Sequence, residues 1–340
     1  MTTIYDVARK ARVSPATVSR ALSGAPGVSE VTRRKVLEAA EELHYSPNYI
    51  ARSLKKRQTN TIALVISDIT NPFFTTLARG VEDKASEHGF NTIFCNTDED
   101  PKTEKAYLEL MLRRQVDGLL VSTCSNGKTL DLLFQRNIPV VLVDRRVKDA
   151  PWDYVVGDSE YGAYELTKHL VEVHRREKIA VISGPLVIST SRERVEGYER
   201  ALKEAGIVLS RKYIHVGAYK EDFGYRTMRE LLEGGVPVEA VFAGNNVIAI
   251  GVVRAAQELG VRVPEDIALV AFDDFDLASA LSPFLTVAKQ PAYTMGTLAV
   301  EVLLQRIRGE NIRERREIIL RPEIIIRRSC GCSIMEKKEG

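Results

Sequence analysis

Ser14-Pro15-Ala16-Thr17-Val18-Ser19-Arg20-Ala21-Leu22-Ser23-Gly24 opens with an N-cap serine, puts proline at the first helical position and stops at a glycine. Val18, Ala21 and Leu22 make one apolar face, and Pro15, Ala16, Ser19 and Arg20 lie opposite it. Upstream, Thr3 precedes the stripe Ile4, Val7, Ala8 and Ala11, with Asp6 placed to complete a capping box. Downstream, Ser29 caps a third helix with the stripe Val36, Ala39, Ala40 and Leu43. Two short helices joined by Arg12-Val13-Ser14 and closed by a third predict a helix-turn-helix DNA reader over residues 1–45. Small residues near the start of the second helix permit close approach to base edges, and Arg20 can pair with guanine.

Charge separates this head from the body of the chain. Residues 1–60 hold 11 Lys and Arg against 5 Asp and Glu, a net of +6, whereas the remaining residues carry 37 against 41. Only the head is suited to a polyanion. Ser46-Pro47 is a second cap-plus-proline start, predicting a short helix over 47–56 and a linker to residue 60. The chain of 340 residues is 44% hydrophobic and 28% charged, enough for two or three folded units. No apolar run approaches the ~18 residues of a membrane helix. The N-terminus lacks a secretion signal pattern, and four cysteines are too few for a disulfide framework. The expectation is a reduced, cytoplasmic protein with no membrane partner.

From residue 61 apolar strands alternate with amphipathic helices. Strands are expected at 62–67, 92–96, 118–122, 140–144, 179–183, 240–243 and 267–272, and helices at 75–88, 104–115, 192–205 and 248–259. This alternation predicts parallel sheets covered on both faces, divided between two α/β lobes. Asn71-Pro72-Phe73-Phe74 follows the first strand and Asp144-Arg145 the fourth, where open α/β sheets place ligands. Arg192 lies near a helix start, and Tyr219, Asn245, Asp273 and Gln290 lie at later strand ends or turns. Aromatic faces with carboxylate, amide and guanidinium groups suit a small polyhydroxylated ligand.

Catalytic and metal readings are weaker. Ser125-Asn126-Gly127-Lys128-Thr129 imitates half of a phosphate-binding loop, but the earlier glycine it needs falls at Ser122. His169 and His174 are five apart, whereas two zinc ligands on one helix want four, and Cys330-Gly331-Cys332 lacks the usual two-residue spacer. Asp273, Asp274 and Asp276 suit a sugar-binding carboxylate beside loop acids better than a metal. No catalytic residue, cofactor or metal is expected.

Thr3-Ile4-Tyr5-Asp6-Val7-Ala8, Val13-Ser14-Pro15-Ala16-Thr17-Val18-Ser19-Arg20 and Tyr45-Ser46-Pro47-Asn48 resemble the lactose/galactose repressor family of bacterial regulators, and the likeness runs on to Arg327-Arg328-Ser329. The resemblance implies an all-α helix-turn-helix head, a hinge helix over 46–60 and a two-lobed core like that of periplasmic sugar-binding proteins. The first lobe would comprise 61–158 with 289–318, the second 159–288 with 319–330, and 331–340 would form a tail. It implies a homodimer or dimer of dimers on near-palindromic double-stranded operator DNA. Contacts would come from Thr3, Tyr5, Ser14, Pro15, Ala16, Thr17, Ser19, Arg20, Asn48, Arg52 and Lys55. Leu54 matches the hinge leucine that wedges into the minor groove.

Asn71, Phe73, Phe74, Asp144, Arg145, Arg192, Tyr219, Asn245, Asp273 and Gln290 match the sugar contacts of ribose-type binding proteins. One departure is Asn246, where the family commonly has aspartate. The implied function is a transcription regulator, a repressor above all, controlled by a ribose-like monosaccharide. A regulator of the same build answering to a purine or a phosphoprotein corepressor is the alternative, ahead of a sugar-transport component.

Overall fold

Thr3, Ser14 and Ser29 each start a helix: α1 (Ile4–Ala11), α2 (Pro15–Leu22) and α3 (Glu30–Glu42). The Asp6 carboxylate accepts from the Thr3 backbone amide at 3.0 Å and the Thr3 hydroxyl at 2.7 Å, while Ser14 Oγ accepts from the Thr17 amide at 3.1 Å. Arg12 ends α1 in a left-handed conformation, φ 54°, which turns the chain into α2. Val7, Val18 and Val36, one from each helix, meet fully buried, with Ala8, Ala21, Ala39 and Ala40 around them. The computed structural model describes residues 2–45, 59–275, 284–310 and 314–332, divided into two units between Thr59 and Asn60. The expected hinge helix, with Asn48, Arg52, Leu54 and Lys55, lies outside the described residues, as does Asp276.

The second unit holds two six-stranded sheets. The first sheet runs β11 (Glu317–Leu320), β5 (Asp153–Gly157), β4 (Val140–Val143), β3 (Gly118–Val121), β1 (Thr61–Ile66) and β2 (Asn91–Asn96), all parallel. The second repeats that order as β12 (Glu323–Ile325), β10 (Thr286–Lys289), β9 (Ala268–Phe272), β8 (Ala240–Ala243), β6 (Ile179–Ser183) and β7 (Ile214–Val216), with only β12 antiparallel to its neighbour. β3, β4, β8 and β9 are buried along their whole length, because helices cover both sheet faces. In the first lobe these include α4 (Pro72–Glu87), α5 (Pro101–Arg113) and α6 (Asp131–Phe134), and in the second α7 (Ser159–Glu172), α8 (Ser189–Glu204), α9 (Glu221–Glu233) and α10 (Asn246–Glu258).

The chain crosses between lobes three times. It leaves the first sheet after β5 through Asp158, returns after β10 through Gln290-Pro291 into α11 (Ala292–Ile307), and crosses again between β11 and β12 at Arg321-Pro322. α11 packs on α4 of the first lobe so closely that a Cβ on Gly296 would stand 2.3 Å from the Leu77 carbonyl oxygen. β10 runs to Lys289 and β11 to Leu320, so the second and third crossovers fall slightly later than the expected 288/289 and 318/319.

All seven expected strands form within a residue at each end, whereas β5, β7, β10, β11 and β12 were not anticipated. Three of the expected helices begin two or three residues early because Asn71, Asp100 and Asn245 cap them, with Pro72 and Pro101 at first helical positions, and α8 begins three residues early at Ser189 without a side-chain cap. Among the described residues no helix is long and apolar enough to cross a membrane.

Candidate functional site

In the head, Thr3, Tyr5, Ser14, Ala16, Ser19 and Arg20 are exposed, and Pro15 and Thr17 are half-buried. Ser14 and Thr17 also serve as scaffold: their hydroxyls bond each other at 2.9 Å at the cap of α2. Arg33, which sequence reasoning passed over, donates to the carbonyls of Ala21 at 2.8 Å and Ala25 at 3.0 Å. A guanidinium at the C-terminal end of α2 satisfies carbonyls the helix leaves open and fixes the reading helix against α3. Its signal was in plain view, since Arg33 lies three residues before Val36 on the inward stripe.

The core site is built from strand ends. Asn71 accepts from the Phe73 amide at 3.0 Å as the cap of α4, which turns the Phe73 and Phe74 rings into an edge-to-face pair 5.1 Å apart. Asp144 follows β4 and Asp273 follows β9, equivalent places in the two sheets. Both take left-handed backbone, φ 63° and 64°, uncommon for residues with a side chain and a form of strain found at binding sites.

Each carboxylate has a buried guanidinium beside it. Arg145 Nε stands 3.5 Å from Asp144, while its two terminal nitrogens fork onto Glu99 at 2.8 and 2.5 Å. Arg194 stands 3.8 Å from Asp273, lies 3.8 Å over the Phe272 ring and donates to the Gly244 carbonyl at 2.6 Å. Gln290 Nε2 donates to Asp273 at 2.9 Å, and Tyr219 faces the Arg145 guanidinium at 5.8 Å.

Burial pushes the Asp144 carboxyl up to about 6; Arg145 and Arg194 oppose the rise, and Asp273 and Glu99 add to it. Burial also raises Asp273, against Arg194 and the Gln290 hydrogen bond. For Arg145 burial acts downward, but the Glu99 carboxylate, together with Asp144 and Tyr219, outweighs it and holds the guanidinium above its ordinary value. Arg145 Nε, Arg194 Nε and Gln290 Oε1 are buried and have no hydrogen-bond partner among the described residues. Unpaired buried polar atoms cost about 1–3 kcal/mol each.

The lobes meet around the site. Lys220 of the second lobe pairs with Asp68 at 3.0 Å and Asp98 at 2.5 Å of the first, and Asn246 Nδ2 donates to Asn71 Oδ1 at 3.2 Å. The space between them measures about 20 Å³ and borders a groove of about 190 Å³ lined by Thr76, Gln290 and Tyr293. A volume of that order holds about one water, less than a sugar ring needs.

Asn71, Phe73, Phe74, Asp144, Arg145, Tyr219, Asn245 and Asp273 therefore line one cavity, and Gln290 joins it through Asp273. Arg192 does not. Its side chain is 43% exposed and pairs with Glu196, while Arg194, 3% exposed, occupies the wall. Two residues along a helix are about 200° apart, so only one of the two arginines can face the cleft. Asp68, Glu99, Thr190 and Arg194 are the lining residues missed by sequence. The Ser125–Thr129 segment spends its hydroxyls on the buried Glu104 carboxylate of its own chain, to which the Cys124 amide also donates at 2.6 Å. Asp274 is held by Arg327 at 2.6 Å.

Comparison with known proteins agrees with this geometry. Residues 3–48 match the family described as bacterial regulatory proteins, lacI family, and residues 59–326 match periplasmic binding proteins and sugar binding domain of LacI family. The chain is 36% identical over 332 residues to the HTH-type transcriptional repressor PurR of Photobacterium profundum, covering 97% of this chain and 98% of that one. It is 37% identical over 318 residues to the ribose operon repressor of Escherichia coli, covering 93% and 96%. Its structure is similar to that of the lac repressor dimer bound to operator and the anti-inducer ONPF, with TM-score 0.85 and 27% identity over 97% of this chain and 99% of that one.

Proposed function

The chain belongs to the LacI family of bacterial regulatory proteins, a DNA-binding transcriptional repressor by kinship and not an enzyme, and we propose that a small polyhydroxylated ligand, a pentose such as ribose, sets its affinity for operator DNA. The observation that carries this reading is the matched pair of buried carboxylates, Asp144 and Asp273, each with its own guanidinium and facing Phe73, Phe74 and Tyr219. Carboxylates accept from hydroxyls, guanidinium nitrogens donate to them, and aromatic faces cover the C–H side of a sugar ring. The name of the ribose operon repressor, at 37% identity, supports the same ligand class.

Exposed Thr3, Tyr5, Ala16, Ser19 and Arg20 read the operator, with Asn48, Arg52, Leu54 and Lys55 completing the contact in a homodimer. A ligand touching both lobes favours their closed arrangement. The head joins the first lobe at β1, so the closed and open arrangements carry different DNA affinities, linked to ligand binding by mutual free energy.

A purine is the second reading, because the Phe73–Phe74 pair also offers aromatic faces to a flat base. Titration of the full chain on labelled operator, followed by anisotropy, decides between them. Ribose, other pentoses, hexoses, hypoxanthine and guanine are added in turn. A shift in operator affinity with a pentose supports the proposal, and a response to purines alone replaces it with the second reading. The sign of the shift distinguishes an inducer from a corepressor.

A further inference from the structure

Two pairs of residues that look unpromising along the chain come together in the second lobe. His169 lies in the last turn of α7 and His174 just beyond its end, while Cys330 closes a short 3₁₀ turn (Arg328–Cys330) and Cys332 follows it. His169 Nε2 stands 3.4 Å from Cys330 Sγ and 3.7 Å from Cys332 Sγ, and His174 Nε2 stands 3.3 Å from Cys332 Sγ. One ligand atom from each residue fits within 4.8 Å of all the others. Sulfur at about 2.3 Å and nitrogen at about 2.1 Å from a tetrahedral zinc ion are about 3.5 Å from each other, the separation these side chains already show.

We propose that His169, His174, Cys330 and Cys332 form a structural site for a zinc-class divalent cation. Two thiolates and two neutral imidazoles complete a tetrahedron and neutralise the dication, with the two thiol protons released to solvent. With all four positions taken by protein, the ion has no open coordination site for catalysis, and its role is to clasp the C-terminal segment onto α7.

The backbone is shaped for this. Both spacing objections fail for local reasons. The four-residue rule holds only for two ligands on one continuous helix, and α7 ends at Glu172 before a turn in which Arg175 takes φ 55°. The one-residue spacer between the cysteines is Gly331, whose φ of 104° is a conformation glycine adopts readily. A Cβ there would lie 3.3 Å from the His174 ring. The turn is also anchored from behind. Ser329 Oγ donates to the Leu269 carbonyl at 2.6 Å and accepts from the Thr286 amide at 2.8 Å, and the Thr286 hydroxyl reaches Cys330 Sγ at 3.2 Å. Outer hydrogen bonds of this kind hold metal ligands in place.

The test uses the full chain, purified under reducing conditions without chelator. Metal analysis should find one zinc per chain. Cobalt(II) titrated into chelator-stripped protein should give thiolate-to-cobalt charge transfer and the intense visible bands of a tetrahedral site, saturating at one equivalent. Cys332→Ser and His174→Gln, both at half-buried positions, should each weaken cobalt binding by more than about tenfold. Zinc should raise the thermal midpoint of the stripped wild type but not of Cys332→Ser. Octahedral cobalt bands with no stoichiometric zinc would overturn the proposal, as would a Cys330–Cys332 disulfide in the freshly isolated protein. The wild-type titration decides the matter even if a variant fails to fold.

Discussion

Asp144 is withdrawn from water beside a second buried acid, with Ser122 Oγ at 3.4 Å and Arg145 Nε at 3.5 Å. Its carboxyl is raised from 3.8 to about 6, so between those values the folded chain binds more protons than the unfolded chain. Stability from this group is therefore full below about pH 4 and is lost as pH rises through about 6. A shift of about two pH units corresponds to about 3 kcal/mol. Urea unfolding of wild type and Asp144→Asn from about pH 4 to about pH 7 should show wild type losing up to that amount relative to the variant. A difference that stays flat with pH would show that Asp144 titrates normally.

The two arginines of α8 provide a second residue-level test. Arg194→Ala should weaken ribose binding by about 100-fold, because it removes a buried charged donor from the wall. Arg192→Ala should leave it within about twofold, as expected for a half-exposed residue with a surface partner. Calorimetric titration of both variants that finds the opposite order would restore Arg192 as the contact.

Helices meet at glycines in both lobes. A Cβ on Gly251 of α10 would stand 2.1 Å from the Glu221 carbonyl oxygen at the start of α9, a backbone atom that cannot swing aside. Gly224 of α9 is held nearly as close to the Ile248 carbonyl oxygen, at 2.4 Å for its added Cβ. Gly251→Ala gains helix propensity but must push the two helices apart, and overpacking of this kind costs about 1–3 kcal/mol. Chemical denaturation of the intact chain should show that loss in the core transition. Unchanged or increased stability would mean that the α9–α10 pair relaxes freely. The head depends on other means: caps at Thr3, Ser14 and Ser29, the Arg33 clamp and a few small buried side chains.

Across the whole molecule, the proposed ligand response depends on how easily the lobes part. Lys220 bridges them at the rim through Asp68 and Asp98, and its side chain is 39% exposed, so solvent weakens the pairing. Lys220→Met should lower ribose affinity up to about fivefold at low salt and much less at high salt. Titrations at two ionic strengths check this, and identical curves for variant and wild type would remove the bridge from the closing equilibrium. Asn246 contributes from inside. Its amide donates to Asn71 across the lobes and to the Asp274 carbonyl at 3.3 Å, bonds that an ionised aspartate could not donate. The departure from the usual family residue thus adds a link between the lobes.

The head, seven of the twelve strands described and most of the cavity-lining residues at strand ends were legible in the sequence because they rest on local signals. Caps and prolines mark helix starts, period-2 and apolar runs mark buried strands, and polar residues at strand ends mark a binding face. Arg192 against Arg194 was not legible, since both follow Ser191 within one turn and only packing against Phe272 and Gly244 chooses the inward one. Edge strands β7, β11 and β12 were missed because each is only three or four residues long and partly exposed, and pairing with β6, β5 and β10 holds them in the sheets. The Cys–His cluster joins residues up to 163 positions apart, and no spacing rule spans that distance. Local propensity is written along the chain, whereas contacts between distant segments exist only after the sheets have brought them together.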